Sequence, residues 1–222
     1  MKVDYEIAIP SYGRSECRTA RLFPEAVIYC HEGQAAQYAK ANPDVKLSLI
    51  PDGHGRGNMA VIRNWIIDHS QTNRVLMLDD DISEIGYFYH GQHVVMEGAE
   101  LREMIQDGFD LCEQAGTMLW GINQQNDPKF YREYSPFSFL SVVLGPFFGL
   151  IKNGIRFDET LGMKEDYDYS IQVLNKYRRI FRMNKYYYLC GHIAQAHGGG
   201  LIGVRTYKKE NDQAKALQTK WG

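Results

Sequence analysis

Four apolar residues, Val75-Leu76-Met77-Leu78, run straight into three adjacent carboxylates, Asp79-Asp80-Asp81. A short apolar run of this kind fits a strand buried on both faces of an α/β sheet. Charge that starts abruptly at the carboxyl end of such a strand falls where open α/β sheets bind ligands. Three neighbouring acids repel one another, so a positive partner is expected. A divalent cation carrying a phosphorylated substrate fits, because Mg2+-type sites use one or two carboxylates plus phosphate oxygens. The plain alternative is an acidic turn or a helix N-cap, since Asp is favoured in both.

The segments before this strand share its style. Residues 5–10 predict a first strand, stopped by the turn Pro10-Ser11-Tyr12-Gly13. Residues 26–29 and 47–50 predict two more strands, with a short helix at 34–41 between them. A glycine-rich loop, 51–58, leads to a helix over 59–69 with Val61, Ile62, Trp65 and Ile66 on one face. This β-α-β-α-β order implies parallel strands with right-handed crossovers. Further on, the pattern predicts a helix at 100–115, a strand at 118–122, a polar and aromatic loop at 124–136 and a helix at 166–177. The apolar stretch 137–151 is broken by Gly145-Pro146 and Gly149, so strand pieces are expected rather than one helix. The tail from Gly191 is glycine-rich and then polar.

A chain of 222 residues suits a single α/β domain spanning 1–222. No stretch reaches the length needed to span a membrane, and the charged start Met1–Glu6 lacks the apolar core of a signal peptide. The cysteines Cys17, Cys30, Cys112 and Cys190 are scattered without a C-x-x-C, which argues against a zinc knuckle or disulfide framework and suits a reducing cytoplasm. A net charge of −2 excludes general nucleic-acid binding by bulk electrostatics. The run 176–185 nevertheless carries five basic residues, a local face for a polyanion or simply a solvated one.

Candidate chemistry gathers at several places. In the first turn Pro10 stiffens the exit from the strand, Tyr12 is placed to stack on a base, and Arg14 to meet phosphate. The loop His54-Gly55-Arg56-Gly57-Asn58 leads into the helix carrying Arg63-Asn64; glycines admit close approach of a ligand, and a helix N-terminus favours anions. The loop matches neither the P-loop nor the dinucleotide pattern. The block 157–169 is a second acidic centre, with Glu165 and Asp166 at a helix start, where a carboxylate serves as general base if a substrate hydroxyl comes within reach. Late in the chain, His197 precedes three glycines and offers an imidazole ligand.

Taken in order, these segments resemble the nucleotide-sugar glycosyltransferases of the GT-A fold, and especially their large inverting family. Ile9-Pro10-Ser11-Tyr12-Gly13-Arg14 is similar to that family's opening "IPTYNR" stretch at the nucleoside pocket. Residues 59–65 (MAVIRNW) resemble its "AARN" donor helix, Leu78-Asp79-Asp80-Asp81 its D-x-D motif, and the block from Phe157 to Asp168 its "FDE…EDxD" segment. His197 falls where such enzymes often place a late metal-binding histidine. The Gln-x-x-Arg-Trp motif of processive synthases is absent. A compact chain of this kind resembles the small phage glycosyltransferases of DNA hypermodification, the group associated with TET/JBP-type base oxidation.

The resemblance implies a single Rossmann-like GT-A domain with a mixed, mostly parallel sheet. It also implies a UDP-sugar donor, such as UDP-glucose, and Mn2+ or Mg2+. Donor binding is expected from Pro10, Ser11, Tyr12, Arg14, Arg56, Arg63, Asp79 and Asp80. Asp81 is expected as the direct metal ligand, Asp79 as a holder of the ribose or a metal-bound water, and His197 as a further ligand. Asp166 is the expected base, with Glu165 and Asp168 as alternatives. The expected acceptor is a hydroxymethylated pyrimidine in double-stranded DNA in the cytoplasm of a phage-infected host. Tyr131, Tyr134 and Phe137 would stack on an extruded base there, and Arg178 and Arg179 would hold phosphates. A glycan or protein acceptor is the alternative. A nucleotidyltransferase ranks lower because the first turn holds one glycine, Gly13. A non-catalytic binding module would keep the fold without needing both acidic centres.

Overall fold

The computed structural model describes residues 4–124, 126–191 and 206–222; His197 lies outside them. The first half of the chain alternates strand and helix. Strands β1 (Tyr5–Pro10), β2 (Val27–His31), β3 (Lys46–Ile50) and β4 (Arg74–Leu78) are joined through α1 (Thr19–Leu22), α2 (Ala35–Ala41) and α3 (Met59–His69). They pair in parallel in the order β3-β2-β1-β4.

The second half completes the sheet. It comprises β5 (Ile82–Tyr89), β6 (Gln92–Val95), α4 (Gly98–Gln114), β7 (Leu119–Asn123), β8 (Phe137–Ser138), β9 (Phe147–Ile151), α5 (Glu165–Tyr177), β10 (Phe181–Cys190) and α6 (Tyr207–Trp221). The sheet has ten strands, ordered β3-β2-β1-β4-β9-β7-β10-β5-β6, with β8 beside β10. Its pairings set β9, β5 and β8 against the common direction of the other strands. The sheet is therefore mixed, with most strands running one way.

Strand β4 shows why the sheet has two covered faces. Leu76 and Leu78 belong to the apolar cluster that includes Ile7, Ile9, Met104 and Phe109. Val75 and Met77, one residue out of phase, belong to the cluster that includes Ile62, Ile66, Phe148, Tyr169 and Val173. Alternate side chains point to opposite faces, so α4 covers one face while α3 and α5 cover the other. Trp120 fills the centre beneath α4, and a Cβ at Gly108 or Gly149 would overlap its indole.

The residues after Asp81 enter β5 directly, and the tail forms α6. Neither element is apparent from periodicity. The basic run 176–185 does not form one face. Lys176 closes α5, Arg178 caps it in the left-handed conformation at φ 63°, and Phe181 begins β10. Phe181 and Met183 are buried while Arg182 and Asn184 are partly exposed, the alternation that a strand imposes. Among the described residues no helix is long and apolar enough to cross a membrane.

Candidate active site

The site lies at the carboxyl edge of the parallel strands. Asp79 leaves β4 half-buried, and its N–H donates to the Pro146 carbonyl at 3.2 Å. Thr19, at the start of α1, fixes the turn. Its hydroxyl donates to the Asp79 carbonyl at 2.5 Å and accepts the Ile82 N–H at 2.9 Å. The Asp80 carboxylate turns back toward β1, where the Ser11 hydroxyl donates to it and Arg14 Nη2 lies at 2.5 Å. Arg14 Nη1 reaches Asp81 Oδ2 at 3.0 Å. Part of the positive partner demanded by three adjacent acids is thus supplied from the first turn. Burial pushes the Asp80 carboxyl up to about 6, against Arg14 and Ser11, which favour its ionised form.

These contacts divide the expected donor residues. Pro10 pairs in register with Tyr29, and Ser11 is bonded at 2.7 Å to the Tyr38 hydroxyl. Both are buried, as is Asp80. They build the turn that carries Tyr12 and Arg14. Tyr12 and Arg14 are the partly exposed residues of this turn. The Tyr12 ring meets His31 edge-on at 5.2 Å, and the Arg56 guanidinium sits 5.5 Å from its centroid. His31, at the end of β2, also contacts the His54 carbonyl at 2.9 Å through Nε2. Periodicity gave no hint of His31 in this cluster. The glycine-rich loop needs Gly55 for its own path, at φ +64° against Val61 and Ile62.

Helix α3 joins the two acidic centres. Asn58 caps its start by accepting the Ala60 N–H at 3.1 Å. Asn64 holds both backbone groups of Phe157 at 3.0 Å and donates to Glu159 Oε1 at 2.9 Å. Arg63 is buried over the paired rings of Phe148 and Phe157, 5.6 Å from each centroid. Its Nε lies 3.3 Å from Glu165, and its Nη2 donates to the Gly145 carbonyl at 3.1 Å and lies 3.9 Å from Asp79. With 2% of its surface exposed, Arg63 spans the two centres as a strut.

The three base candidates occupy different environments. Asp166 is half-exposed; its Oδ2 accepts the Gly145 N–H at 2.9 Å and its Oδ1 accepts the Tyr167 N–H at 2.8 Å. Both bonds fix its orientation at the edge beside Asp79. Asp168 is fully buried and engaged by Gln172, Trp221 and Lys220 at 2.7–2.8 Å, clasping α6 to α5. That clasp ties both Asp168 oxygens to the scaffold. Glu165 is buried, and burial pushes its carboxyl up to about 8 while Arg63 pulls it down. A carboxyl raised in this way stabilises the fold fully below its ordinary 4.5, and the contribution is lost as pH rises through about 8. The melting temperature of the wild type is therefore expected to fall between about pH 5 and pH 9 more than that of Glu165→Gln. Parallel pH profiles from thermal melts of the two proteins would contradict this.

The expected acceptor residues are not brought to this edge. Arg179 Nη1 donates to the Ala115 carbonyl at 3.1 Å, near the amino end of β7. Arg178 ends α5, some 18 Å along the helix from Asp166 at 1.5 Å per residue. Both lie at the opposite edge of the sheet, because a helix that starts at the acidic edge must finish away from it. Tyr131 stacks on Phe88 at 5.4 Å, about 20 Å down β5 from Ile82 at 3.3 Å per residue. Tyr134 is exposed on the same loop, and Phe137 packs on Phe181 at 5.3 Å.

Among the described residues no three His, Cys, Asp or Glu side chains form a metal-holding group. The donor set at the edge is Asp79 and Asp81, which suits an Mg2+-type ion completed by diphosphate oxygens and water. Asp79, Asp80, Asp81, Glu165 and Asp166 share this edge with the guanidiniums of Arg14 and Arg63. That excess of carboxylate favours an additional cation. A Cβ on Gly191, just past β10, would lie 3.5 Å from Asp81 Oδ2, so β10 delivers the chain to this carboxylate.

A ten-stranded mixed sheet with two acidic centres on its carboxyl edge defines a GT-A-type nucleotide-sugar transferase domain. Solved structures of the same fold include S. aureus TarS 1-349 in complex with UDP-GlcNAc, 14% identical over 97% of this chain and 65% of that chain, at a TM-score of 0.60. The same protein in complex with UDP aligns at 16% identity and TM-score 0.55, over 83% of this chain and 60% of that chain. Glucosyl-3-phosphoglycerate synthase from Mycobacterium tuberculosis, in complex with Mn2+, UDP and glucosyl-3-phosphoglycerate, aligns at 8% identity and TM-score 0.53, over 97% of this chain and 77% of that one. The chain thus spans less than two thirds of the TarS chains that it matches. Residues 5–199 match the TET-Associated Glycosyltransferase family, and the chain belongs to it. No curated protein matches the sequence.

Proposed function

We propose that this protein transfers a sugar from a uridine diphosphate donor to an acceptor hydroxyl, with Mn2+ or Mg2+ and inversion at the sugar carbon. The observation that carries this reading is the convergence of Asp79–Asp81 and Glu165–Asp166 on one sheet edge, joined by Arg63 and Gly145. Tyr12, with His31 and Arg56 around it, offers a stacking surface for the uracil. Asp81 and Asp79 would hold the cation, which when bound neutralises charge on the departing diphosphate. His197, outside the described residues, is the proposed further ligand. Asp166 takes the proton from the acceptor hydroxyl, whose oxygen then attacks the sugar carbon opposite the leaving diphosphate. One displacement of this kind inverts the anomeric centre. Support for the donor and metal comes from TarS, whose complexes hold UDP and UDP-GlcNAc, and from the synthase complex with Mn2+ and UDP.

The proposed acceptor is a hydroxymethyl pyrimidine in DNA. Its support is the TET association in the family's description. Asp81→Asn should lose most transfer, with a modest fall in melting temperature because Asp81 is buried beside Arg14. Chelation should abolish transfer by the wild type and added Mn2+ restore it. The assay is labelled sugar transfer to duplex DNA containing hydroxymethylcytosine or hydroxymethyluracil, beside glycan and protein acceptors. Turnover on a glycan or protein with none on DNA would overturn the acceptor. Full activity in a metal-free sample would overturn the cation.

A further inference from the structure

We propose that Arg14 is a built-in counter-ion that occupies Asp81 in the nucleotide-free protein and exchanges onto the donor diphosphate, releasing Asp81 for the metal. The inference rests on the nucleotide-sugar reading of this same edge. Arg14 comes from the β1 turn and reaches carboxylates that follow β4, with Nη2 2.5 Å from Asp80 and Nη1 3.0 Å from Asp81. Asp80 is the anchor, since its side chain is 2% exposed and Ser11 also donates to it. The arginine side chain is 24% exposed, so it borders the open edge where a diphosphate would sit. Its Nε is buried and makes no hydrogen bond, so the guanidinium carries a donor that its present position does not use. A planar fork with a spare N–H suits phosphate oxygens, which accept bidentate bonds from arginine.

The exchange has a thermodynamic consequence. A cation arriving alone must displace Arg14 from Asp81 and approach another positive charge, so it binds weakly. A diphosphate that draws Arg14 away removes that cost. Metal and nucleotide therefore assist one another, and each raises the affinity of the other by the same factor. The device also offsets part of the Asp80 and Asp81 charge between turnovers.

The test is Mn2+ binding followed by electron paramagnetic resonance of the free ion, with and without UDP, in the wild type and Arg14→Gln. Arg14→Gln should bind Mn2+ alone about 10-fold more tightly, the scale of one charge-assisted contact. It should bind UDP alone more weakly, and the gain in Mn2+ affinity on adding UDP should shrink by about the same factor. If Arg14→Gln melts early, Arg14→Lys keeps the charge without the fork and should show the same two shifts at smaller size. Equal Mn2+ affinity in wild type and variant, with UDP binding retained, would overturn the exchange and leave the glycosyltransferase reading standing. Tighter Mn2+ binding with undiminished coupling to UDP would also overturn it, since Arg14 would then be only a nearby charge. Absence of Mn2+ binding in both proteins, with UDP present, would overturn the metal-dependent reading and the exchange together.

Discussion

Asp166→Asn lowers the turnover of sugar transfer by about 10²-fold or more while UDP binding stays near the wild-type level, the scale expected when a general base is lost. The amide keeps the size and one carbonyl oxygen, so the backbone N–H groups of Gly145 and Tyr167 retain an acceptor for at least one of their bonds. What disappears is the ability to take a proton. Asp168→Asn behaves differently. It weakens the clasp of Lys220 and Trp221 on a buried oxygen, so its first effect is a lower melting temperature. Steady-state kinetics and thermal melts on the two variants separate chemistry from scaffold. A dead Asp168→Asn of normal stability, beside a near-normal Asp166→Asn, would reassign the base.

Arg63→Met costs about 1–3 kcal/mol of folding free energy, the scale of leaving buried hydrogen-bond partners without their donor. The methionine can pack over Phe148 and Phe157, but it leaves Glu165 and the Gly145 carbonyl without their guanidinium. Transfer should fall as well, because Gly145 also orients Asp166 and its neighbour Pro146 receives the Asp79 N–H. Arg63→Lys keeps the charge and loses the fork, so it should recover only part of the stability. Adding Glu165→Gln to Arg63→Met should return part of the loss, a coupling that a double-mutant cycle in urea measures directly. An additive double variant would mean that the two side chains do not act as a pair.

Much of this arrangement is legible in the sequence because strong local patterns coincide with tertiary needs. The apolar run 75–78 gives the central strand, and its acidic exit gives the ligand edge. Residues 59–69 give helix α3 with the bounds that periodicity predicts. Residues 5–10 and the start of α5 also fall close to their expected places. What the sequence hides is non-local. Nothing about Arg63 announces that it is buried against two rings, since an arginine in a helix reads as exposed. Gly145-Pro146 reads only as a break in an apolar stretch, yet it links Asp79, Arg63 and Asp166. Tyr38 joins Ser11 across 27 residues, and Trp221 joins Asp168 across 53, distances at which periodicity carries no information. The basic run 176–185 misleads because charge composition does not register where a helix ends and a strand begins. Arg178 and Arg179 follow the end of α5, which leads the chain away from the acidic edge.

The most direct measurement is a proton NMR time course of a UDP-sugar with the purified protein, Mg2+ and hydroxymethylcytosine-containing duplex DNA. The account predicts metal-dependent appearance of UDP, equal consumption of the donor, and a transferred sugar whose anomeric configuration is opposite to that of the donor. Formation of pyrophosphate, or an intact donor across a panel of UDP-sugars and DNA, glycan and protein acceptors, would contradict it.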